Sequence, residues 1–482
     1  MGADFTGAGV RKQIFREQIL RGQIVGNGLE AALELALERV ERGAAAGLWD
    51  EVCDALPVLM DHWESVGKPG AIAERVAQVM GAVVSFGDGE SQRAVARLWR
   101  RLGMPGIAVL QGILLDGEED FHGRWLAGRS LGELGAAGMT EARDTVLRLL
   151  AQQRDEETLA IVSGAVTHMG APAIDALGEL LHQPESRPAA VRSLVKICHP
   201  DIVTPLLTVM DDPDPQVRAI ALEAIGNFQD RRSLPLLLKA LEDTASVVRR
   251  EAVRGLGQKA KMLARSQDGS ALPDLEKLDF GTFERILIER LRDFDVEVCR
   301  QAAIALGRLQ TCDAVTALTE TLLKNSTPVP LRKSVVQALV WSDRSDALAA
   351  LGDYLETAIQ NPNRRWADPG QAGHASQTIQ SELDREETIH EIIQMLGRVT
   401  VMERRSQARQ IIHRWWTTLG AQSSTDLAQR VTVPVREAIA QSLGQLNHPE
   451  SHPDSRPILN LLAQDPTPSV RYRAEAALRM IQ

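Results

Sequence analysis

Aromatic side chains are scarce in this chain: 4 % of 482 residues, with 2 Tyr and 8 Phe. The core is therefore expected to rest on alanine and leucine, which suits helices packed at short range. No stretch of 18 or more apolar residues exists, so no membrane insertion is expected. Sustained Val/Ile/Thr alternation bounded by turns is also missing, which excludes a strand-rich fold. The four cysteines, Cys53, Cys198, Cys299 and Cys312, form no Cys-x-x-Cys pair. That scatter excludes a disulfide framework and fits reduced thiols in a cytoplasm. Cys299 and Cys312 are near enough in sequence to meet across one hairpin, although packing is the ordinary role of a free cysteine. There is no basic surplus: the formal net charge is −10 and the pI about 5.6, which argues against a general nucleic-acid binder.

Catalytic motifs are missing too. No Gly-x-Ser-x-Gly, Walker A or dinucleotide fingerprint occurs, and Gly103–Gly112 lacks the Lys-Ser/Thr of a phosphate loop. His448 and His452 are four apart, but Pro449 and Pro453 break any helix between them. No catalytic residue and no metal ligand is assigned.

What the chain has is a repeat. A cassette Val-Arg-x-x-Ala-x-x-Ala-Leu-Gly is clearest at Val217–Gly226 (VRAIALEAIG), behind Asp211-Asp212-Pro213-Asp214-Pro215, and returns 31 residues later at Val248–Gly257 (VRREAVRGLG). That period fits one helical hairpin and predicts a stack of them. Val217, Ala221, Ala224 and Ile225 share one helix face. Asp214 is expected to cap the helix, Pro215 to open it, and Gly226 to end it in a left-handed conformation. Arg218 falls in the first turn, where the helix dipole disfavours a cation. Its guanidinium is expected to pair with an aspartate of a neighbouring turn and brace one repeat against another. Degenerate copies lie at Arg124–Gly132, Ile161–Gly170, Arg187–Val195, Val298–Gly307 (with Cys299 in the arginine slot), Leu331–Val340, Thr388–Gly397, Val435–Gly444 and Val470–Leu478. Second helices such as Leu234–Leu241 and Ala314–Leu323 lie between them.

From Arg124 to Met480, with two interruptions, these residues resemble the HEAT-like repeats of the phycobilin lyase family. The periodicity and the resemblance imply an all-α fold, an α-solenoid of stacked HEAT-like hairpins forming an α/α superhelix. The resemblance implies a cyanobacterial cytoplasm and a non-catalytic scaffold that binds a protein client along its curved face. The client it suggests is a phycobiliprotein or a photosynthetic assembly intermediate. A second reading is a phycobilin lyase or isomerase, with an open-chain bilin as transient ligand rather than resident cofactor. A third, a HEAT-like nucleic-acid-binding protein, is disfavoured by the acidic balance. Deoxyhypusine hydroxylase, a HEAT-repeat di-iron enzyme, needs several His-Glu pairs, one per repeat. Here His390-Glu391 stands alone, and the equivalent slots hold Ala219-Ile220, Arg250-Glu251 and Glu437-Ala438.

The expected organisation is a disordered start at 1–10, an N-terminal helical region at 11–115 (a cap or diverged repeats), and repeats at 116–258. An insertion at 259–281, repeats at 282–360, a loop insertion at 361–385 and C-terminal repeats at 386–482 complete it. Helices are expected at 11–26, 28–43, 49–66, 71–86 and 92–102.

Arg404, Arg405, Arg409, Arg414, Trp415 and Trp416 form the densest basic and aromatic cluster, and arginine with tryptophan is the composition of binding hot spots. Adjacent tryptophans point about 100° apart on a helix, so one is expected inside and one partly out. Trp415→Ala, or paired changes at Arg404 and Arg405, is expected to weaken partner capture without unfolding. Arg364, Arg365 and Trp366 repeat the theme in the second insertion. Trp125, beside Phe121 and His122, either fills a gap between repeats or lines a wall for a flat tetrapyrrole.

Overall fold

The structure, a computed structural model, describes residues 29–68, 70–153, 155–228, 230, 232–265, 280–359, 377–420, 423–446 and 455–481. Every regular element among them is helical. The chain divides into two compact units, Met1–Ala221 and Leu222–Gln482. In each, helical hairpins stack in series, the α-solenoid arrangement.

The first unit contains α1 (Leu29–Ala45), α2 (Trp49–Ser65), α3 (Gly70–Phe86), α4 (Gly89–Ala96), α5 (Trp99–Leu102), α6 (Met104–Leu115), α7 (Phe121–Ala136), α8 (Thr140–Gln152), α9 (Glu156–Met169), α10 (Ile174–Leu180), α11 (Arg187–Ile197) and α12 (Val203–Leu206). Helix α13 (Pro215–Asn227) spans the division. The second unit continues with α14 (Ser233–Ala240), α15 (Ser246–Arg265), α16 (Phe280–Arg290), α17 (Val296–Leu309), α18 (Cys312–Leu323), α19 (Val329–Trp341), α20 (Ser345–Ile359), α21 (Gln377–Gly397), α22 (Met402–Leu419), α23 (Ser424–Arg430), α24 (Val433–Gln445), α25 (Arg456–Leu462) and α26 (Pro468–Ile481).

Four of the five N-terminal helices read from the sequence are present, but the last is broken into α4 and α5. The reading of 1–26 lies outside the described residues. Helices enter both stretches read as insertions. Helix α15 runs on to Arg265, and α21 begins at Gln377. Lys259, read as the start of an insertion, is 3 % exposed, and its Nζ donates to the Phe228 carbonyl at 2.9 Å. That bond closes the end of α13, which the sequence period cannot show.

Cassette helices pack directly on one another: α7 on α9 and α9 on α11 in the first unit, and α15 on α17, α17 on α19, α21 on α24 and α24 on α26 in the second. The cassette glycine makes this possible, and here the sequence reading needs correction. Gly226 does not take a left-handed cap. It lies inside α13, and a Cβ there would sit 3.4 Å from the Gly255 Cα. At Gly307 a Cβ would come 2.6 Å from the Ala338 carbonyl oxygen, and at Gly257 it would come 2.6 Å from the Ala305 Cβ. These glycines remove a side chain where two backbones nearly touch. Gly170 alone among the cassette glycines takes a positive φ, 68°, at the end of its helix, α9.

The cassette start behaves as read. Asp214 Oδ1 accepts from the Gln216 amide at 2.8 Å, and α13 opens at Pro215. The arginine turns back on its own loop. Arg187 donates to Leu181 O at 2.7 Å, Arg218 to Asp212 O at 2.7 Å, Arg249 to Asp243 O at 2.9 Å and Arg471 to Asp465 O at 2.7 Å. Each carbonyl is six residues back. Arg187, Arg249 and Arg436 also reach the aspartate of the following loop. Arg187 meets Asp212 at 2.6 Å, Arg249 meets Asp293 at 2.7 Å, and Arg436 meets Asp465 at 2.8 Å. These ion pairs tie each repeat to the next. Cys299 keeps only the first contact, its Sγ donating to Asp293 O at 3.2 Å. The loop after it, Lys324–Pro328, carries no aspartate. Cation and anion are thus missing together.

Candidate functional site

The basic and aromatic cluster lies on α22, and helical phase divides it. Ala408, Ile411, Ile412, Trp415 and Leu419 form the buried stripe. Trp415 is 1 % exposed, while Trp416 is half-buried, which is the expected in-and-out pair. Arg409 is also 1 % exposed, and burial holds its guanidinium below its ordinary value. Trp415 and Arg409 are therefore core residues, not parts of an exposed contact face. Counting arginines along the chain misses this, because Arg409 sits on the same turn as Ala408 and Ile412. Arg405 has a structural job as well: its Nε donates to Val399 O at 3.0 Å, again six residues back. Arg404 Nε donates to Asp343 O at 3.2 Å. Arg414 remains largely exposed, with Glu356 at 3.5 Å. Arg364, Arg365 and Trp366 lie outside the described residues.

A second cluster is more coherent. Asp120 accepts from the Gly123 amide at 2.6 Å and so starts α7 at Phe121. Phe121 follows the cap directly and stays 54 % exposed. One turn on, the Trp125 ring stacks on His122 (centroids 6.2 Å apart, planes 18° apart) and meets His168 edge-on at 6.4 Å. The Arg129 guanidinium lies 5.7 Å from the centre of the same ring, and its Nε is paired with Glu133 at 2.8 Å. His168 comes from the last turn of α9, so two neighbouring cassette helices build one ring patch. The helices beneath pack closely: a Cβ at Gly128 would meet the Ile161 side chain at 2.7 Å. The sequence reading found Phe121, His122 and Trp125 but missed Arg129 and His168. His168 lies 43 residues from Trp125 in sequence and meets it only through the packing of α9 on α7.

Other candidates separate. His390 is half-buried, and burial holds its imidazole below its ordinary value, with the Glu391 charge opposing and Lys333 adding. Among the described residues no group of three or more His, Cys, Asp or Glu could hold a metal ion. Nor is any described helix long and apolar enough to cross a membrane. The cysteines are free.

This geometry defines a helical-repeat protein. The family model for HEAT repeats matches residues 174–257, 203–278 and 284–367, so these stretches of the solenoid carry HEAT-like repeats. No curated protein matches it. Among solved structures it is similar to an engineered protein (18 % identity, 86 % of this chain and 96 % of that one, TM-score 0.35). It is also similar to importin beta (12 %, 99 % and 75 %, TM-score 0.47) and to human deoxyhypusine hydroxylase in complex with glycerol (22 %, 67 % and 99 %, TM-score 0.23).

Proposed function

We propose that this repeat scaffold is non-catalytic and holds a protein client. The observation that carries the reading is the ring patch of Phe121, His122, Trp125 and His168. An exposed phenylalanine beside a half-covered tryptophan, on closely packed helices, is the pre-organised apolar anchor that protein interfaces favour. The resemblance to phycobilin lyase repeats makes a phycobiliprotein or a photosynthetic assembly intermediate the client of choice, in the cytoplasm. The test is a pull-down from the native cell with the full chain and with Phe121→Ala, partners being identified by mass spectrometry. Client recovery with the full chain and its loss in the variant supports the reading; equal recovery removes the patch from it.

One feature favours the second reading, a bilin lyase or isomerase. Arg129 over the Trp125 ring places a cation beside a flat apolar wall, the pairing that a tetrapyrrole with carboxylates needs. A changed bilin absorption spectrum on mixing, lost in Trp125→Ala, separates this reading from the scaffold alone.

A further inference from the structure

The cassette arginine of α19 breaks the pattern that the other repeats set. Arg332 keeps the contact with its own loop: Nη2 donates to Asn325 O at 2.9 Å and to Lys324 O at 3.3 Å. It has no aspartate to hold. Among the described residues no carboxylate pairs with it, although it is only 6 % exposed and its enclosed Nε meets no acceptor. The sequence gives the reason. The next cassette, Thr388–Gly397, carries Ile389 in the arginine slot and has no Asp-x-Asp-Pro turn before it.

A cleft of about 430 Å³ opens at this point, lined by Leu322, Leu323, Arg332, Tyr354, Ala358 and Arg385. Arg385, from α21, brings a second guanidinium, and no carboxylate among the described residues pairs with it either. Both positive charges act on the Tyr354 hydroxyl, which hydrogen-bonds with Thr388. The cleft thus combines two cations, a phenol and an apolar wall in which Leu323 is 53 % exposed.

We propose that this cleft binds a carboxylate on a peptide segment of the client, in the place that Asp212, Asp293 and Asp465 fill for the other cassette arginines. Those three pairs favour a carboxylate over other anions, because each of those cassette guanidiniums, anchored on its own loop, takes an aspartate of the next. The leucines and Ala358 give the neighbouring side chain an apolar seat, so the segment carries an apolar residue beside the acid. Only the source of the segment rests on the client-binding reading; the carboxylate chemistry does not.

The test titrates the full chain, with 15N-labelled arginine, with N-acetyl-Leu-Asp-amide, N-acetyl-Leu-Asn-amide and inorganic phosphate, following the arginine Nε–Hε NMR signals. The aspartyl probe is expected to shift the Arg332 and Arg385 signals saturably. The asparaginyl probe and Arg385→Ala should each weaken binding by about tenfold or more, the worth of a charge-assisted contact. Equal binding of both dipeptides, phosphate binding as tight as the aspartyl probe, or full binding by Arg385→Ala would overturn the proposal. Because the probes are synthetic, the outcome is separable from client capture. Probe binding beside an empty pull-down keeps the site and removes the client, and the reverse result removes the site alone.

Discussion

Arg249 clamps Asp293 with two parallel hydrogen bonds, Nε to Oδ2 at 2.9 Å and Nη2 to Oδ1 at 2.7 Å, while its Nη1 holds its own loop at Asp243 O. The side chains are 15 % and 4 % exposed, so water screens little of this pair. Arg249→Ala leaves a buried carboxylate without its cation and is expected to cost about 3–5 kcal/mol. Arg249→Lys keeps the charge but not the fork and should recover only part of that. Thermal melts, with hydrogen exchange of α15 and α17, measure both.

The same pair sets an acid limit. Burial works to raise the Asp293 carboxyl, but hydrogen bonds from Arg249 and the Asp295 amide outweigh it and hold the group below the usual range. Asp295 is also held low, chiefly by its hydrogen bond with Ser246. A depressed folded value means stabilisation present above the unfolded value, near about 4, and lost as pH falls through the folded one. Melting temperature is therefore expected to fall below about pH 4 in the parent. In Arg249→Ala that part of the acid sensitivity should shrink.

Gly307→Ala should destabilise by about 1–3 kcal/mol, because the new methyl runs into the Ala338 backbone. Helix propensity alone predicts the opposite, a gain of about 1 kcal/mol. Gly112→Ala in α6, where a Cβ would meet nothing within 4 Å, should show that gain. Denaturation of the two variants side by side tells packing from propensity.

Trp415→Ala removes a ring that is 1 % exposed, at an expected cost of about 3–5 kcal/mol. Loss of client capture in that variant would report a damaged core. Phe121→Ala, at an exposed position, should leave the melting temperature nearly unchanged and reduce capture. Circular dichroism beside the pull-down makes the distinction.

Thiol reactivity should follow burial. The Cys299 thiol is pushed up to about 11 by burial and by the Asp293 charge beside it. Cys198 and Cys312 are exposed. Iodoacetamide at pH 8, read by peptide mass spectrometry, should label Cys198 and Cys312 first. Cys53, half-buried with its thiol raised by burial, should follow, and Cys299 should be labelled last.

Much of this architecture was legible because the cassette states it locally. Asp214, Pro215 and the apolar faces each act within one helix, so spacing alone places them. The Arg-to-Asp brace could be guessed because a cation at a helix start needs a partner. The glycines were misread because a cap and a close approach use the same residue, and only the neighbouring backbone decides which. Arg409 was misplaced since its burial depends on the phase of α22. His168 was missed for a different reason: its partner, Trp125, lies one repeat away, and that pairing needs the register between helices. Arg332 and Arg385 drew no attention because the signal there is a missing aspartate, visible only once the others are seen in place.

Cys299 carries the last consequence. The joint from α15 to α17 is riveted by Arg249 and Asp293, whereas the joint from α17 to α19 is welded by shape, through Gly307 seated on Ala338. Brine and vinegar weaken rivets and leave welds alone. Under those conditions the seam between α15 and α17 should open before the one between α17 and α19.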